Sequence, residues 1–430
     1  MFARVTLMTF GIFAIISPAL GETTWPQWRG PLRNGHSEET GISKDWKADA
    51  PRLVWMSEGM GNGFASVSLA DGVIYTTGNK SDGQNVIAAS VKDGSVIWSV
   101  AVTPQSPKHG YAGSRCTPSI DGDHLYVVSS AGSILCLQRK DGAIVWQHPF
   151  SKWGGKMMSG WGYSESPLVD GDLVLCTPGG KDAMMVALNK KTGKVVWQSA
   201  APSDFGRTTG LNGKRLKPGA GYASIVTSDA AGVKQYVQLI GQGVIGVRAA
   251  DGELLWGYGE VANGTANIPT PICSDDYVFC SSGYKTGAAL LKLSKSGDKV
   301  AMEEEFFLEY KTLENHHGGM IQVGDHIYCG HAHNNGFPIC VEMKTGKVVW
   351  GGKIRGVGSG SAAVTYVDGH LIFRYQSGEV ALIEATPAGY KLKGSFTPEY
   401  QEGKSWAHPV VAGGYLLLRE QDKLMCYDIK

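Results

Sequence analysis

A glycine followed four residues later by a tryptophan recurs at Gly94 and Trp98, Gly142 and Trp146, Gly193 and Trp197, Gly252 and Trp256, and Gly346 and Trp350. Self-similarity of this kind marks an array of one repeated supersecondary unit, so the fold is built by stacking copies. A second mark lies roughly 20 residues before each copy, at Asp71-Gly72, Asp121-Gly122, Asp170-Gly171, the degraded Ala231-Gly232 and Gly324-Asp325. Two tight turns at fixed offsets, separated by alternating apolar residues, describe a four-stranded antiparallel unit.

The unit is clearest at 116–146. Strand A is expected at 117–120, strand B at 124–129, strand C at 133–138, and strand D closes on Trp146. Asp-Gly suits the turns because glycine takes positive φ without a Cβ clash and Asp tolerates the left-handed region. Leu125 and Val127 alternate with polar or small neighbours, the period of a strand, and helical periodicity is nowhere sustained. Seven units follow at 66–98, 116–146, 166–197, 222–256, 269–306, 318–350 and 361–396, with Phe306 and Phe396 replacing the closing tryptophan in two of them. The stretch 406–430 supplies strands A, B and C of another unit and stops, whereas 51–55, ending on Trp55, resembles a lone strand D. Joined, the two ends complete an eighth unit and close a ring, which removes the long free edges of an open array. The expected fold is therefore all-β, an eight-bladed β-propeller of four-stranded antiparallel blades spanning 51–430, closed by the N-terminal strand pairing with the C-terminal blade.

With 59 glycines, 12 tryptophans and 18% charged residues, the chain is turn-rich and core-rich rather than disordered. A net charge of +1 gives no electrostatic footprint for nucleic acid or an anionic membrane surface. Residues 1–21 carry Arg4, an apolar run, Pro18 and the small-residue site Ala19-Leu20-Gly21, the pattern of a cleaved secretory signal. The run is too short to span a bilayer comfortably, so no membrane span is expected after cleavage and the mature chain is expected in the periplasm or secreted. Among eight cysteines, most fall within strands, where a small hydrophobe would serve equally. Cys329 with Cys340, on strands B and C of one unit, is the best candidate disulfide, and Cys273 with Cys280 a weaker one. Residues 22–50 hold Trp25, Trp28 and Trp46, and three tryptophans in so short a segment are expected to pack across the propeller.

These repeats resemble those of the pyrroloquinoline-quinone (PQQ) propeller superfamily, which includes quinoprotein alcohol dehydrogenases and the non-catalytic barrel-assembly subunit BamB. The opening 25–37, WPQWRGPLRNGHS, with the later NHHGG and WAHP, is similar to exported BamB-like proteins. The resemblance implies an eight-bladed propeller in which each tryptophan docks between neighbouring blades, and it implies PQQ with calcium as a possible cofactor. It does not imply chemistry, since the superfamily holds catalysts and scaffolds alike. The dehydrogenases set a vicinal disulfide against the quinone and hold calcium through a Glu, an Asn and an Asp near the axis. This chain has no adjacent cysteines, and no lipobox cysteine of the BamB kind follows the signal.

In an A-B-C-D blade the A-B and C-D turns share one face, and the B-C loops and D-to-A crossings share the other. The crossings are long and rich in binding groups, and loops of that sort on a rigid ring are where binding residues gather. The expected site is the channel mouth ringed by Arg115, Trp161, Glu165, Asn267, His316, His317, Arg355 and His408. Mixed charges, aromatic platforms and hydrogen-bond donors there suit a polar small molecule or a partner's inserted loop. His316 and His317 could be imagined as metal ligands, but adjacent strand residues point to opposite faces, so hydrogen-bonded channel lining is the better reading and no metal is assigned. Trp161 and Tyr163 either stack on a ligand or pack between blades. Three functions follow: an exported binding or scaffold propeller, favoured here; a PQQ- and calcium-dependent alcohol or sugar dehydrogenase; and a metal-dependent enzyme at the histidine-rich mouth.

Overall fold

The structure, a computed structural model, describes residues 24–430, so the secretory-signal reading of 1–21 lies outside the described residues. Seven antiparallel sheets of A-B-C-D order run along the chain at 68–101, 119–149, 168–199, 226–258, 272–309, 320–351 and 362–396. The eighth combines Val410–Ala412, Tyr415–Glu420 and Lys423–Asp428 with Arg52–Ser57 as its strand D. Trp55 faces Cys426 across that junction, so the ring closes as the two chain ends require.

In blade 2, strands B and C occupy His124–Ser129 and Ser133–Gln138 as expected, while strand A is Ser119–Asp121. Strand D, Ile144–Pro149, does not end on Trp146 but continues past it, because a one-residue bulge between Ile144 and Trp146 resets the register. All eight blades carry this bulge between strands C and D. An extra residue bends an outer strand and re-aims the side chain that follows it. In blades 1, 2, 3 and 8 that residue is a tryptophan whose indole lies over the glycine of the next blade's C-D turn.

The seams repeat this contact. A Cβ on Gly142 would lie 2.8 Å from Trp98, and one on Gly193 2.8 Å from Trp146; both glycines have positive φ, 74° and 70°, so no other residue fits either requirement. Each indole N–H then donates to a carbonyl of the neighbouring blade: Trp55 to Val91 (3.1 Å), Trp98 to Arg139 (3.0 Å), Trp146 to Lys190 (3.0 Å), Trp197 to Ala249 (3.2 Å) and Trp350 to Thr386 (2.8 Å). Trp256 departs from the pattern and bonds Gln235 Oε1 of its own blade at 2.6 Å. Blade 5 has exchanged the short glycine turn for a longer hairpin, Gly287–Ser296 and Lys299–Glu309, leaving no seat for the indole. Phe306 does occupy the tryptophan position, facing Leu290. Phe396 does not: after the bulge, the residue facing Leu382 is Gly394. Trp46 of the N-terminal segment lies on that glycine, 2% exposed and edge-on to Phe396 with centroids 5.6 Å apart.

All eight cysteines are free. Cys329 pairs across the sheet with Ile339, and Cys340 with Tyr328, so the two thiols are one residue out of register and enter different cores. Cys273 and Cys280 likewise remain unbonded, Cys273 facing Val278.

The N-terminal segment crosses the channel at the end where the A-B turns lie. Trp25 exchanges both backbone bonds with Leu69, Pro26 accepts from Ile120 N–H, and Arg33 donates to the carbonyls of Ser166 and Pro167. On the far side Arg29 donates to Met320 O, His36 Nε2 lies 2.8 Å from Gln322 O, and His36–Ser37 pairs in parallel with strand A of blade 7. Innermost strands of non-adjacent blades are thereby tied through one segment. No helix among the described residues is long and apolar enough to cross a membrane.

Candidate functional site

With one end of the channel closed, the other opens as a cavity of about 390 Å³. Trp28, carried in by the N-terminal segment, is part of its lining, and the segment leaves the mouth itself free. The walls come from the crossings that lead into strand A, as at Arg115, Trp161, His316, His317 and His408, and from the B-C loops, as at Tyr284, His333 and Gln376.

The five expected residues just named as crossings line the cavity together; Glu165, Asn267 and Arg355 do not. Glu165 is 3% exposed and accepts bonds from Thr177 N–H (2.7 Å), Thr177 Oγ1 (2.9 Å) and Gln238 Nε2 (3.2 Å). Burial pushes its carboxyl up to about 8 against the pull of those Thr177 bonds and Arg33, so it tends to hold its proton inside the blade 3 and blade 4 seam. Asn267 is fully buried and pins its own loop, donating to Ile240 O and Gly241 O and accepting from Asn263. Arg355 is exposed and away from the lining. Tyr163 packs between blades against Phe150, its hydroxyl donating to Pro178 O, whereas Trp161 faces the cavity beside Tyr222.

Polarity within the cavity is one-sided. Its charged lining groups are Arg115 and Lys404, and no Asp or Glu lines it. The Arg115 guanidinium is fixed by the carbonyls of Trp161 (2.6 Å) and Tyr111 (2.6 Å) and lies 5.4 Å from the Phe64 ring. Desolvation lowers it to about 10, which leaves it cationic at neutral pH. Lys404 Nζ stands 5.0 Å from the Tyr111 ring and 5.3 Å from the Trp406 ring, a cation held on aromatic faces. The histidines are neutral: burial, followed by the nearby histidine, holds His317 at about 3, and burial with Arg29 holds His408 at about 3. His316 is depressed further, for the same reason. Its Nδ1 lies 2.7 Å from Ser361 Oγ and its Nε2 3.0 Å from the Tyr284 hydroxyl, so both ring nitrogens are engaged. His317 Nε2 and His408 Nδ1 are buried and have no partner among the described residues.

Among the described residues no three His, Cys, Asp or Glu side chains group to hold a metal ion. Calcium takes oxygen ligands with carboxylates prominent among them, and the lining offers imidazoles, indoles, phenols, hydroxyls and the amides of Asn334 and Gln376 but no carboxylate. The calcium-held quinone of the dehydrogenases therefore does not fit these residues.

The repeats and the eight-bladed fold they build are those of a PQQ-type propeller. The chain belongs to the family whose model is described as "Outer membrane protein assembly factor BamB", matched over residues 14–150 and 82–352. Its structure resembles that of BamB from Moraxella catarrhalis at 14% identity, covering 88% of this chain and 98% of that one with a TM-score of 0.59. It also resembles quinohemoprotein alcohol dehydrogenase from Comamonas testosteroni at 12% identity, covering 94% and 80%, TM-score 0.64. A europium-containing methanol dehydrogenase matches at 11% identity over 92% and 89%, TM-score 0.53. At these identities the likeness is one of fold. No curated protein is matched by the sequence.

Tyr284, His333, Gln376 and Lys404 line the cavity beyond the eight expected residues. The first three lie in B-C loops, on the face that the topology marks, and that placement is the signal that could have found them. The basic run 213–219 is a solvated loop: Lys214, Arg215 and Lys217 are exposed and outside the cavity.

Proposed function

We propose that this chain is an exported PQQ-repeat propeller acting as a binding or scaffold module, with a polar small molecule or a partner's inserted loop seated in the cavity at the channel mouth. The observation that carries the reading is a preformed concave site with aromatic walls, neutral imidazoles and two cations, and no carboxylate in its lining. Pockets of a few hundred Å³ with convergent polar groups are the usual form of ligand sites. The pattern in residues 1–21 and the family description support export, and that description also supports a protein partner. The dehydrogenase reading has the fold in its favour and lacks the donor set.

Ser164 lines the mouth and is half-buried, so Ser164→Trp would fill the cavity without touching a blade core. Native mass spectrometry of the mature protein after incubation with extract from its host is expected to show retained mass on the wild type and none on this variant. Equal retention by both would remove the cavity from the function. Dye-linked alcohol oxidation on adding PQQ and calcium would instead establish the dehydrogenase.

A further inference from the structure

We propose that the cavity receives the sugar-acid end of a carbohydrate, a pyranose ring bearing a carboxylate, and holds it without a metal ion. This deepens the reading above and rests on the cavity being the binding site. Three independent features converge on that chemistry.

The first is charge. Neither Arg115 nor Lys404 forms an ion pair among the described residues, and no lining carboxylate offsets them. Beneath them Arg29 and Arg33, both buried, are likewise bonded to carbonyls and a side-chain amide rather than to acids. A cationic, low-dielectric pocket favours one negative group on its occupant. Arg115 is committed to carbonyls, which leaves the Lys404 ammonium, held against Tyr111 and Trp406 with no acid beside it, as the group to meet it.

The second is the orientation of the rings. His317 meets Trp406 at 72°, Trp28 meets His408 at 71° and Tyr284 meets His316 at 87°. Neighbouring rings of the lining meet at angles from 42° at Phe64 and Trp406 to 87° at Tyr284 and His316, so the walls present faces and edges in several directions. A puckered sugar ring, apolar on its C–H face and polar around its rim, matches that arrangement. The third is the unspent hydrogen-bonding capacity of His317 Nε2 and His408 Nδ1, joined in the lining by the hydroxyls of Ser224 and Thr270, which accept from the N–H groups of Ser166 and Ser224 and keep their own protons to donate. Such groups call for donors and acceptors distributed around a ring, as a polyol provides.

The test is titration calorimetry of the mature protein with digalacturonate and with its carboxyl-reduced counterpart, each in EDTA. The acid is expected to bind at least ten-fold more tightly than the reduced sugar, Lys404→Met to remove that preference, and Lys404→Arg to restore most of it. Equal affinity for the two sugars, a requirement for calcium, or indifference to Lys404→Met would overturn the proposal. Binding of neither sugar overturns it as well and leaves the cavity reading to be decided separately by the Ser164→Trp comparison.

Discussion

Deleting residues 51–55 is expected to open the propeller. Those residues supply most of strand D of blade 8, where Arg52, Leu53 and Trp55 pair with Asp428, Tyr427 and Cys426. Leu53 packs on one seam core and Trp55 on the other, and Trp55 also bonds Val91 O of blade 1. Truncating a single buried aromatic costs about 3–5 kcal/mol, and a whole strand with its seam costs more. The strand Lys423–Asp428 would in addition become an unpaired edge, a template for association. A fall in thermal midpoint together with concentration-dependent association is the expected result, and an unchanged midpoint would contradict the composite blade.

Arg419 is expected to be the most costly single residue at the same seam. It is 2% exposed on strand B of blade 8 and reaches into blade 1, donating to Thr76 Oγ1 (2.6 Å), Gly61 O (2.7 Å), Met60 O (3.0 Å) and Thr77 O. Burial lowers its guanidinium to about 9, with Asp422 and Glu420 pulling the other way, so it remains a cation at neutral pH. Arg419→Met keeps the apolar stem but leaves several buried acceptors without donors, each costing about 1–3 kcal/mol, so a total on the order of 4 kcal/mol or more is expected. Arg419→Lys should fall between, since one ammonium cannot reproduce the planar fork. Denaturant unfolding measures both, and a loss below about 1 kcal/mol for the methionine variant would show that the fan of bonds is not holding the seam.

The array and its closure were legible because turn chemistry and the glycine-tryptophan spacing are local. What local spacing cannot carry is register. The bulge before each tryptophan lengthened strand D beyond Trp146 and moved the seam position of blade 7 from Phe396 to Gly394. Trp46, distant in sequence, then filled the place that glycine leaves open. The site was legible to the level of the face. His316, His317 and His408 reach the cavity because their crossings open onto strand A. Glu165 and Asn267 sit on equally suitable crossings, yet nearby backbone groups and buried amides claim their side chains. Residue type names a capacity for bonding, and only packing decides which partner is met first.

The central claim is a separation of roles: seams hold the ring, and the cavity does the binding. Comparing Trp98→Ala with Trp406→Ala tests it, with thermal midpoint and retained ligand mass measured on each. Trp98 lies in a seam, bonded to Arg139 O, and Trp406 lines the cavity, bonded to Gln376 Oε1 at 2.7 Å. The account predicts that the Trp98 variant loses a few kcal/mol of stability and keeps its ligand when folded, while the Trp406 variant keeps its midpoint and loses the ligand. The reverse pattern, or loss of ligand from both variants, would contradict it.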